Sequence, residues 1–192
     1  MHKALQSLAG EGLVERRRKL GTVVSERAQE RPVLEIWDIA AEARRLGGHY
    51  RFEVIERTTI EAGRAHRSLL EVDEGTPLLR VVCVHYSDAQ PLQFEERLIS
   101  VAAAPRIAGE RFRRSSPGRW LLRHVPWTEA EHTILAQPAS ATVASSLDIA
   151  RGSACLVVER RTWNESLPVT FARMWHPGER YRLVGRFRPS HM

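Results

Sequence analysis

The chain has 192 residues, 43% hydrophobic and 27% charged, enough apolar material for a sizeable core and too much for wholesale disorder. No run approaches the roughly 18 consecutive apolar residues of a membrane span, and the N-terminus lacks the pattern of a secretory signal, so a cytoplasmic protein with no membrane partner is expected. Lys+Arg is 29 against Asp+Glu 23, a formal +6 carried almost wholly by arginine, which points to nucleic acid or small anions.

In chain order, Met1, Leu5 and Leu8 fall at helical spacing, and Gly10 and Gly12 end that helix. Leu13 to Arg16 is a predicted strand, Arg17 to Gly21 a basic turn and Thr22 to Val24 a returning strand. These residues are too few to hold a core of their own. Ser25 to Pro32 is polar and ends in proline, a linker pattern. The organisation expected is therefore a fragment of helix and basic hairpin over 1–25, a linker over 26–33 and a compact domain over 34–189.

Within that domain Ile36, Ile39, Ala40, Ala43 and Leu46 mark one face of a helix closed by Gly47-Gly48. Tyr50 to Ile60 alternates as a strand, Ala62 to Leu70 is a short helix, and Pro77 to Tyr86 and Pro91 to Ser100 form a hairpin around Ser87–Gln90. Short helical pieces follow near 102–108 and 118–124. Glu129 to Ala136 is a strand and Ser140 to Leu147 a helix with Ser140 as N-cap. A second hairpin runs from Ala154 to Trp163 and back over Pro168 to His176, and Tyr181 to Phe187 is a last strand. Cys83 and Cys155 lie in apolar runs and are expected to be buried free thiols. This mixture predicts an α+β fold: a mostly antiparallel sheet with helices on one face.

Several strings together resemble the HutC-type branch of the GntR family of bacterial transcription regulators, in which a winged helix-turn-helix precedes an effector domain (UTRA) of chorismate-lyase-like fold. His2-Lys3-Ala4-Leu5, Glu11-Gly12-Leu13 and Gly21-Thr22-Val23-Val24 are similar to the end of the recognition helix and the wing. Leu34 to Ile39 is similar to the entry of the effector domain. Thr128 to His132, Arg160 to Trp163, Val169 to Arg173 and His176 to Phe187 are similar to strings of the histidine-responsive members. Two further helices precede the recognition helix in the family, so the resemblance implies an N-terminally truncated reader. Lys19 also stands where the family usually has glycine.

The resemblance implies a DNA-binding repressor of histidine utilisation genes, acting as a homodimer on operator DNA and sensing urocanate or a similar small planar carboxylate. It places His2 and Lys3 on the base-facing side of the recognition helix, and Arg17, Arg18 and Lys19 at the wing tip against phosphate or the minor groove. For the effector it implies Arg97 on the carboxylate, helped by the backbone amides of Ile36, Trp37 and Asp38. Tyr181 matches a ligand-contacting tyrosine, Trp175 and His176 are candidates to stack on or bond the imidazole, and Glu95 is a candidate acceptor for its N–H. Each has a plainer reading: an intrasheet Arg97–Glu95 or Arg97–Glu96 ion pair, Trp175 in the core or a dimer interface, and a simple turn at His176-Pro177-Gly178. Arg160 and Arg161 alternate faces, so at most one of them points inward.

Two alternatives stand beside this reading: an effector-binding module without its own DNA binding, and a small-molecule enzyme of related fold. No nucleophile elbow, phosphate loop or dinucleotide fingerprint appears, so an enzyme is not expected. Glu131 and His132 fall on opposite faces of their strand and the remaining histidines fall singly, so neither a metal nor a cofactor is expected.

Overall fold

A computed structural model of the chain describes residues 14–17, 21–24, 39–45 and 47–183. The chain divides into two units, Met1–Ile36 with Arg182–Met192, and Trp37–Tyr181. The first contains a hairpin of β1 (Val14–Arg17) and β2 (Gly21–Val24), antiparallel with Val14 opposite Val24 and Arg17 opposite Gly21. This is the expected basic hairpin, with Arg17 ending the strand instead of opening the turn. The expected helix over Met1–Ala9 and the residues His2, Lys3, Arg18 and Lys19 lie outside the described residues, as does the linker.

The second unit is built on six antiparallel strands. In chain order these are β3 (Tyr50–Glu61), β4 (Pro77–Ser87), β5 (Gln90–Ser100), β6 (Glu129–Pro138), β7 (Ala154–Asn164) and β8 (Leu167–Pro177). Their spatial order is β3-β4-β5-β8-β7-β6, so the two long hairpins β4–β5 and β7–β8 meet in the middle of the sheet. Four helices decorate it: α1 (Ile39–Arg45), α2 (Arg64–Leu70), α3 (Pro117–His124) and α4 (Ala141–Leu147), with a 3₁₀ turn at Pro105–Gly109.

Local chemistry explains the helix ends. Gly47 takes φ +80°, and the Gly47 and Gly48 amides bond back to the carbonyls of Arg44 and Ala43, which satisfies the last turn of α1 without a Cβ penalty. The Ser140 hydroxyl accepts the Val143 amide at 3.3 Å, so the predicted cap of α4 is present. Pro117 occupies the first turn of α3, where its missing N–H costs nothing.

Strand alternation gives the sheet two faces of different character. Val82, Val84, Phe94, Val157 and Trp175 pack beneath Val143, Ala144 and Leu147 of α4, while Leu78, Leu98 and Phe171 pack with Leu70 of α2. The other face is apolar only at one end, where Leu79, Val81 and Ile99 meet Trp120 and Leu121 of α3 and Ile107 of the 3₁₀ turn. Helices thus lie on both faces of the expected antiparallel α+β sheet. Cys83 and Cys155 are buried free thiols, as expected.

The chain turns after β8, with the Gly178 amide on the Ala154 carbonyl and the Arg180 amide on the Pro177 carbonyl. Of the last predicted strand, Tyr181 to Phe187, the first three residues are not in a strand, and the rest lies outside the described residues.

Candidate functional site

The central strands carry a row of side chains on the less apolar face: Val81, Arg97, Ala172, Arg160 and His132, each opposite the next across β4, β5, β8, β7 and β6. The adjacent row is Leu79, Ile99, Thr170, Thr162 and Ala130. On the other side stand Cys83, Glu95, Met174, Val158 and Ile134. Polar and charged groups therefore collect at the middle of a sheet whose other positions are mostly aliphatic.

Arg97 and Glu95 are two apart on β5 and share a face. The Arg97 Nε donates to Glu95 Oε1 at 2.6 Å, with both side chains about 96% or more buried. Glu95 Oε2 accepts from Gln93 Nε2 at 3.0 Å and lies 3.4 Å from His85 Nε2. Burial alone would raise the Glu95 carboxyl, but the Arg97 charge and the His85 hydrogen bond hold it well below the usual carboxylate range. The Arg97 Nη1 reaches Thr170 Oγ1 at 3.4 Å, and a methyl group at Gly118 would come within 3.1 Å of Nη2, so the first turn of α3 lies directly over this guanidinium.

Arg160 is placed differently. Its Nε donates to His132 Nε2 at 2.6 Å. Burial and the like charge of Arg97 pull the guanidinium down to about 10, while Glu95 and Tyr181 act weakly the other way. It remains a cation at neutral pH, and no carboxylate is paired with it among the described residues. Two residues along β7 on the same face, Thr162 is 5% exposed and its hydroxyl has no hydrogen-bond partner among the described residues. The Tyr181 ring stacks on His176 with centroids 3.6 Å apart and planes at 17°.

Of the residues expected to contact an effector, Arg97, Glu95, His176 and Tyr181 are brought to this one face. The plainer ion-pair reading of Arg97 is present, since Glu95 is its partner, and the oxygens of Glu95 already face three protein groups, Arg97, Gln93 and His85. Trp175 is corrected: its alternation with His176 turns it to the opposite face, 8% exposed beneath α4. Ile36, Trp37 and Asp38 lie outside the described residues. The choice between Arg160 and Arg161 is resolved, because Arg161 sits on the α2 side, with Nη2 on the Ser68 carbonyl at 3.2 Å and Nη1 3.5 Å from Glu131. His132 and Glu131 split between the faces as their spacing requires. Thr162 and His85 are not marked by any local signal in the sequence, since Thr162 is placed by its neighbours on β6 and β8 and His85 meets Tyr50 and Glu95 on β3 and β5.

Comparison with known proteins agrees with this architecture. The UTRA domain family matches residues 45–182. The histidine utilization repressor of Pseudomonas aeruginosa is 37% identical over 190 residues, covering 97% of this chain and 75% of that protein. The repressor of the same name from Klebsiella aerogenes is 34% identical over 187 residues, covering 97% and 78%. The crystal structure of the C-terminal domain of the histidine utilization repressor from Pseudomonas syringae pv. tomato superposes with a TM-score of 0.68 at 34% identity, covering 73% of this chain and all of that one. PhnF from Mycobacterium smegmatis, at 19% identity, shares the fold with a TM-score of 0.73 over 98% of this chain and 84% of its own. The chain belongs to the UTRA-domain regulators of the GntR family, among the histidine utilization repressors, and not to a family of enzymes.

Proposed function

We propose that this chain represses histidine utilisation genes and that its Trp37–Tyr181 unit senses urocanate or a closely similar planar monocarboxylate. The observation that carries this is the Arg97–Ala172–Arg160 row. The two arginines stand on the same face with their backbones two strand spacings, about 10 Å, apart, and the small methyl of Ala172 lies between them. Arg97 is neutralised by Glu95, whereas Arg160 has no carboxylate partner among the described residues, so the pair presents one net positive charge. A single carboxylate matches it, and a charge-assisted bond to a desolvated guanidinium is among the stronger polar contacts available.

The remaining needs of a flat imidazole-acrylate are met by the same face. Tyr181, backed by His176, offers an aromatic wall. The Thr162 hydroxyl, buried and without a hydrogen-bond partner among the described residues, offers a hydrogen bond to a ring nitrogen. Nothing in this arrangement calls for bond making; it is a binding site. In the repressor, the acid would favour one arrangement of a homodimer and thereby change the spacing of two operator-DNA readers, including the basic hairpin of β1 and β2.

The test is calorimetry with urocanate on the full chain and on Arg160→Gln. Saturable binding that the substitution weakens supports the reading. Absence of binding to the wild-type chain, or unchanged affinity in the variant, overturns it.

A further inference from the structure

We infer that Cys83, His85 and Glu95 form a binding site for a divalent transition-metal ion of the zinc type. This goes beyond the effector reading and does not depend on it. Cys83 and His85 are two apart on β4 and so project from one face, and Cys83 stands directly opposite Glu95 on β5. The three donor atoms all lie within 4.8 Å of one another. Cys83 Sγ is 3.3 Å from His85 Nε2, and that nitrogen is 3.4 Å from Glu95 Oε2. Bond lengths of about 2.3 Å to sulfur and about 2.1 Å to nitrogen and oxygen give tetrahedral edges of about 3.6 and 3.4 Å, so the ligands already stand near the spacing an ion requires.

The surroundings hold these atoms in ligating orientation. The Tyr50 hydroxyl is 2.8 Å from His85 Nδ1, which directs Nε2 toward Cys83 and Glu95. Arg97 occupies the other carboxylate oxygen, Oε1, while Oε2 accepts from Gln93 Nε2 with one lone pair and turns toward the imidazole. A partner on the remote nitrogen of a histidine and a donor on the remote oxygen of a carboxylate are what metal sites use to fix their ligands. All three residues are at least 97% buried, and Phe52 lies near the His85 ring, with centroids 6.4 Å apart. One thiolate, one imidazole and one carboxylate are a donor set that suits zinc and leaves a fourth position open. On binding, the Cys83 thiol proton leaves to solvent as the sulfur–metal bond forms, with no change of oxidation state.

The experiment is titration of the chelator-treated full chain with cobalt(II). The expected result is a thiolate-to-cobalt charge-transfer band that saturates at one equivalent and is bleached by zinc. Cys155→Ser should keep the band, and Cys83→Ser should weaken cobalt binding by about tenfold or more. X-ray absorption of the wild-type cobalt protein provides a readout that needs no variant, with one sulfur among nitrogen and oxygen neighbours expected. No band at one equivalent, a band retained in Cys83→Ser, or a shell with no sulfur or two sulfurs overturns the assignment.

Discussion

Arg97 and Arg160 lie two strands apart on one face of the sheet, each opposite Ala172, and among the described residues Arg97 has a carboxylate partner where Arg160 has the His132 imidazole. A guanidinium held without a counter-charge is costly to keep dry, and Arg97 adds like-charge repulsion. Arg160→Gln is therefore expected to leave stability unchanged or raise it by about 1 kcal/mol, while urocanate affinity falls by about tenfold or more. Denaturant unfolding and calorimetry on the same preparations check both halves. Because burial and Arg97 lower Arg160 to about 10, affinity should fall as pH rises past that value, when the cation is lost.

The Arg97–Glu95 pair behaves in the opposite way. Removing one partner strands a buried charge, so Glu95→Gln is expected to cost about 3–5 kcal/mol. Replacing both with Gln and Met should cost less than the sum of the single changes, which a double-mutant cycle measures. The folded carboxyl is held below its ordinary value near 4.5, so its contribution is full above that pH and is lost as acid carries the protein below it. Acid unfolding of wild type compared with Glu95→Gln should show this slope in wild type alone.

Trp175 tests the assignment of faces. It is packed with Val157, Val143 and Leu147 under α4, away from the arginine row. Trp175→Ala should destabilise by about 3–5 kcal/mol. Trp175→Phe, folded, should bind urocanate as wild type does. A large affinity loss in the phenylalanine variant would place the effector on the wrong side of the sheet.

Ser140 offers a local control. Its hydroxyl caps α4, which covers the face opposite the site. Ser140→Ala should lower stability by about 1 kcal/mol in chemical denaturation and leave effector affinity alone.

Much of this molecule is written in short-range chemistry. The Gly47-Gly48 stop, the Ser140 cap, both long hairpins and the separation of Glu131 from His132 depend on residues within a few positions of one another, and each is present.

The site divides along the same line. Alternation along β7 requires Arg160 and Arg161 to face opposite ways, and along β8 it requires the same of Trp175 and His176; both follow from the strand period of two. Which member of each pair meets Arg97 was decided by pairing between strands more than 60 residues apart in the chain, Arg97 on β5 with Ala172 on β8, to which the β7–β8 hairpin adds Arg160 opposite Ala172. The nearness of Cys83, His85 and Glu95 has the same origin in the β4–β5 register. A local pattern sorts side chains into two sets, but only the assembled ladder can say which set shares a face with which, because that depends on contacts the polypeptide makes after it has folded back on itself.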